Sequence, residues 1–148
     1  MQIHAISGWN DHILAGRQYL ETASNGRHRP AVFNNELVFQ LAAMAIEKLM
    51  VGVCQYHRRM PFDHTLTGLV AGLAPVCPMD PALADGIRHI EQIDDMCSLS
   101  PVHRKSPDAL AIQQVLDIGW QVAVFARQHV PWDDADAVMT ETTHKGKP

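Results

Sequence analysis

Residues 33–69 read F-N-N-E-L-V-F-Q-L-A-A-M-A-I-E-K-L-M-V-G-V-C-Q-Y-H-R-R-M-P-F-D-H-T-L-T-G-L, a long apolar run that breaks into a basic turn punctuated by proline. No proline interrupts the run before Pro61, and apolar side chains recur at helical spacing on two faces. Phe33, Leu37, Leu41, Met44, Lys48 and the Met50/Val51 pair trace one face; Phe39, Ala43, Ile46 and Val53 trace another. A helix apolar on two sides is either central in a bundle or half buried at an oligomer interface. One charged pair, Glu47-Lys48, interrupts it. Neighbouring residues on a helix point about 100° apart, so these two do not easily pair with each other. Each must reach a partner or snorkel to the surface, because an unpaired buried charge costs on the order of several kcal/mol. A structural role for Glu47 and Lys48, at the bundle or a dimer seam, is expected ahead of a catalytic one.

Outward from this stretch, prolines fall between helical patterns and strand-like alternation is scarce. A first helix is expected over 8–23, with Trp9, Ile13 and Leu20 facing inward, followed by a polar link that carries Arg27, His28 and Arg29 and ends at Pro30. The second helix covers 32–56. Asp63 can cap a third at 64–73, and Asp80-Pro81 opens a fourth that reaches 96. Ser106-Pro107-Asp108 opens a fifth at 107–130, striped by Ile112, Val115, Leu116, Gly119, Val122 and Ala126. The expected fold is all-α, an antiparallel up-and-down bundle of about five helices in one domain, 1–131, with a polar tail at 132–148. In that topology the second-to-third and fourth-to-fifth links share an end. His57, Arg58, Arg59 and His64 would then lie near His103, Arg104 and Lys105, with Arg27–Arg29 about 35 Å away along the long helix.

The chain has 148 residues, 47% apolar and 19% charged, which suits one globular core. A net charge of −4 excludes the molecule as a whole from polyanion binding and leaves only a local basic patch for that task. Residues 37–53 contain Gln40, Glu47 and Lys48, read as too polar for a membrane span, and no signal-peptide pattern opens the sequence. Cys54, Cys77 and Cys97 form no C-x-x-C and no disulfide framework, so a cytoplasmic location without membrane contact is expected. Cys54 and His57 are three apart on one helical face and Cys77 can approach them. No complete four-ligand set is visible, so neither a metal nor another cofactor is expected.

The segment from Phe39 through Tyr56, with the P-F-D-H-T-L-T-G-L that follows, resembles the HEPN domain (higher eukaryotes and prokaryotes nucleotide-binding). Ala45, Glu47 and Lys48 match its A-x-E-K helix pattern, and Pro61, His64, Leu66 and Leu69 match the turn after it. Two departures are visible: Val51 stands where the family has a second lysine, and residues 100–107 replace its R-Y-P. The resemblance implies a helical bundle, commonly a homodimer, that binds a nucleotide or polynucleotide or docks on a small nucleotidyltransferase. Some members are metal-independent ribonucleases, including toxins of toxin–antitoxin pairs, with an R-x(4–6)-H motif.

Arg58 or Arg59 with His64 satisfies that motif literally. Histidine moves a proton near neutral pH and arginine stabilises phosphorane-like charge. Yet the match falls at the turn where non-catalytic members also keep a histidine, so a turn-stabilising His64 is the expected reading and no catalytic residue is assigned. Arg58, Arg59, His64, His103, Arg104 and Lys105 remain as candidates for binding an anion or nucleotide, since guanidinium forks suit phosphate.

Overall fold

Polar caps fix where the helices begin. The computed structural model describes residues 3–61, 63, 65–98 and 106–132. They form α1 (Ile3–Gly26), α2 (Asn35–Tyr56), α3 (Leu66–Leu73), α4 (Pro81–Ser98) and α5 (Ala109–His129). Among the described residues there is no strand, and the all-α bundle of five helices is as the sequence implies. Asn34 caps α2 by accepting from Leu37 N–H at 2.8 Å, and Asp108 caps α5 by accepting from Ala111 N–H at 2.8 Å. Asp63, expected to cap α3, instead accepts from Thr65 N–H at 2.9 Å, while Thr65 is the cap and takes Gly68 N–H at 3.0 Å. The shift has a cause in α4: Glu91 accepts from Leu66 N–H at 2.9 Å and Thr67 N–H at 3.1 Å, which pins the first turn of α3 to that register.

α1 and α2 form an antiparallel hairpin: Gly8 lies against Gln55, Gly16 against Leu49 and Gly26 against Phe33. Two glycines let the backbones close. A Cβ on Gly16 would stand 2.7 Å from Leu49 Cγ and 3.1 Å from Leu49 N; one on Gly52 would stand 2.8 Å from Ile13 Cδ1 and 3.2 Å from the Trp9 carbonyl oxygen. Around this seam Ile13, Leu20, Phe39, Ile46, Leu49 and Val53 are fully buried. The entire expected α5 stripe is buried with them. Trp132, the first residue of the expected tail, is also buried, with Arg17 over its ring at 4.9 Å; the rest of that tail lies outside the described residues.

α5 runs antiparallel to α1 and parallel to α2. Trp120 Nε1 donates to Ser24 Oγ at 3.0 Å. Asn35 Nδ2 at the start of α2 donates to the Pro107 carbonyl at 3.1 Å, and His57 at its end bonds the His129 carbonyl at 2.7 Å. This corrects the expected placement of the links. The eight residues of α3 rise only about 12 Å, too little to cross a bundle that α2 spans with about 33 Å. The link 57–65 and α3 therefore fold back beside the end of α2, where Arg59 Nε donates to the Gly72 carbonyl at 3.4 Å, and the chain returns to its starting end at Cys77. α4 then makes the crossing, and Pro107, just ahead of α5, lies beside Asn35, next to Arg27.

α2 and α5 are each long and apolar enough to cross a membrane by length and composition, so Gln40, Glu47 and Lys48 do not rule a span out. In this fold they pack against each other, with 56% and 50% of their most apolar windows buried.

Candidate functional site

α2 ends in a left-handed turn. Arg58 N–H donates to the Gln55 carbonyl at 3.1 Å and Arg59 N–H to the Cys54 carbonyl at 2.8 Å, the Schellman pattern. Its left-handed position, usually glycine, is occupied by Arg58 at a φ of 56°. The turn leaves both arginines exposed and swings His57 inward as the C-cap residue.

There His57 meets Cys77, whose approach the sequence allowed, and His129, which the sequence did not join to it. A ring nitrogen of His57, Cys77 Sγ and a ring nitrogen of His129 all lie within 4.8 Å of one another. A carbonyl only accepts, so His57 Nε2 carries a hydrogen and donates it to the His129 carbonyl. Tyr56 meets the His57 ring edge-on at 5.1 Å, and Phe125 lies 4.5 Å from the His129 ring. Burial, followed by the nearby His57, lowers the pKa of His129 from its usual value. Burial raises the Cys77 thiol, and burial with Cys77 nearby pushes Cys54 up to about 11. Cys77 is fully buried, and an activated nucleophile needs access and a lowered pKa, so a cysteine–histidine catalytic pair is not what this geometry provides.

At the opposite end Arg27 lines a shallow cleft of about 260 Å³ with Asn35, Ala109, Ile112 and Gln113. Arg27, His28 and Arg29 are all exposed. Arg58 and Arg59 sit at the His57 end, and α5 begins at the Arg27 end. His64, His103, Arg104 and Lys105 lie outside the described residues. Between the ends, Glu47 and Lys48 are half-buried on the outer side of α2, and among the described residues neither side chain takes part in a hydrogen bond or ion pair.

Sequence reasoning missed His129 and Glu91. His129 is the last residue of α5, so the parallel course of α2 and α5 alone carries it to His57. The chain matches no protein-family model, and no curated protein or solved structure is significantly similar to it.

Proposed function

We propose that this protein is a non-catalytic, HEPN-like interaction module that works as a homodimer joined along α2. The observation behind this reading is the outer row of α2. Leu37, Leu41, Met44, Lys48 and Val51 follow one another at spacings of four, three, four and three, the a/d pattern of a paired helix. All five are exposed or half-buried in one chain, Leu37 at 38% and Met44 at 39%.

The row is self-complementary when a second α2 runs antiparallel across it. Leu41 then faces the partner's Val51 and Met44 faces the partner's Lys48. Glu47 comes within one turn of the partner's Lys48, close enough for an ion pair repeated by the twofold axis. This gives a partner to a charged pair whose side chains have none among the described residues.

Light scattering on the full chain tests the seam. The wild type is expected to be a dimer at micromolar concentration. Lys48→Glu, which sets acidic side chains against one another, is expected to weaken it at least about tenfold, or about 1.4 kcal/mol. The double exchange Glu47→Lys with Lys48→Glu restores opposite charges and should recover the dimer. A monomeric wild type, or a double exchange as weak as the single one, overturns the reading.

The module's ligand in this reading is a nucleotide or polynucleotide end, or the surface of a small nucleotidyltransferase. Two separate basic patches support it, Arg27–Arg29 and Arg58/Arg59, one at each end of α2. Thermal shift with nucleotides should show stabilisation that Arg27→Ala or Arg59→Ala removes.

A further inference from the structure

We propose that His57, Cys77 and His129 form a transition-metal site of the zinc type, with three protein ligands and a fourth position open to solvent. It lies at the end of the bundle away from Arg27 and does not depend on the α2 seam. Its donor atoms come from three separate pieces of chain: the C-cap of α2, the turn after α3 and the last residue of α5. The fold, not local sequence spacing, assembles the set.

Three features suit a metal. First, the donors are two imidazoles and one thiol, and no carboxylate belongs to the cluster. Nitrogen and sulfur ligands select zinc and its neighbours and reject the oxygen-seeking magnesium and calcium. Second, the bond from His57 Nε2–H to the His129 carbonyl fixes the tautomer, so Nδ1 presents its lone pair. A backbone carbonyl on the distal nitrogen is the usual outer support of a metal-binding histidine. Third, Cys77 forms a fully buried inner wall while both histidines remain half-buried, which leaves the outward side to water.

Bond lengths of about 2.1 Å to nitrogen and 2.3 Å to sulfur put tetrahedral ligands roughly 3.5 Å apart. The present separations, up to 4.8 Å, must close by about an ångström, within reach of side-chain torsions. Binding replaces the Cys77 thiol proton by the metal and releases that proton to solvent. Cys54, fully buried and donating to the Leu69 carbonyl at 3.9 Å, stays outside the set.

The test uses the full chain, stripped with chelator and titrated with Co²⁺ alone. One equivalent should produce the intense d–d bands of tetrahedral cobalt with a thiolate-to-metal charge-transfer band. Zn²⁺ should displace it and raise the melting temperature. A variant with Cys54→Ser and Cys97→Ser should keep both signals. Cys77→Ser should lose the thiolate band, and His129→Gln should weaken binding by about tenfold or more, with far-UV circular dichroism confirming the fold. Should Cys77→Ser fail to fold, His129→Gln carries the decision. Weak octahedral bands, a thiolate band lost with Cys54 and Cys97, or full-strength binding by His129→Gln overturns the proposal.

Discussion

The two sides of α2 are made of the same kinds of residue and do opposite things. Its inner side presents Ala42, Ala45, Leu49 and Gly52, all fully buried or nearly so, and with Gly16 it brings two backbones together. Its outer side presents Leu37 and Met44, each more than a third exposed, beside a charged pair with no side-chain partner among the described residues. Side-chain size separates them. Small residues at one longitude let α1 approach, whereas the long side chains about 100° around the helix leave a ridge that only another surface can cover. Apolarity alone does not tell a core face from a binding face.

The sharpest way to break this contrast is to enlarge the inner side. Gly16→Val puts branched carbon where a Cβ would already meet Leu49 Cγ at 2.7 Å and its backbone nitrogen at 3.1 Å. The helices must separate, at an expected cost of about 3 kcal/mol, read as a lower urea midpoint. The outer side should respond in the reverse sense. Met44→Asp is expected to abolish the dimer in light scattering while changing the urea midpoint by no more than about 0.5 kcal/mol, as an exposed substitution does. If Met44→Asp instead unfolds the chain, the outer row belongs to the core and the contrast fails.

How much of this was legible depended on the range of the interaction. The helices and the α5 stripe are local patterns, and Ile13, Leu20 and Val122 can be placed inside from periodicity alone. Which ends meet is a non-local matter. An up-and-down count gives every helix one full pass, but α3 is too short for a pass, so each later link changes ends. That difference in parity is what hid the approach of His129 to His57.

Glu91 was hidden for the same reason. Its carboxylate leaves α4 to accept from Leu66 N–H, Thr67 N–H and Thr67 Oγ1–H, three donors at the start of another helix. Glu91→Ala takes the acceptor from two amides of the first turn of α3, Leu66 N–H part-buried and Thr67 N–H exposed, with an expected loss of about 1 kcal/mol. Hydrogen exchange should speed up at Leu66 and Thr67 ahead of α2. Uniform acceleration across both helices would mean that the short α3 has no independent stability and that α2 alone does not hold the bundle's frame.

The smallest expected effect is a gain, at the residue where α2 stops. Arg58 holds a φ of 56°, a conformation that costs an L-residue roughly 1 kcal/mol and costs glycine nothing. Glycine is also freer in the unfolded chain, which offsets part of the benefit. Arg58→Gly should therefore stabilise the fold by about 0.5 kcal/mol and raise the melting temperature by one or two degrees, roughly. Arg58→Ala keeps the strain and should be neutral. An arginine at a position whose geometry favours glycine is what a binding role would retain, as phosphate ligands prefer a guanidinium fork. The discriminating result is thermal shift with nucleotide: a more stable Arg58→Gly that no longer responds places Arg58 in the ligand's path. A variant that is both more stable and fully responsive removes Arg58 from the binding residues and leaves the basic end at Arg27 to carry that role.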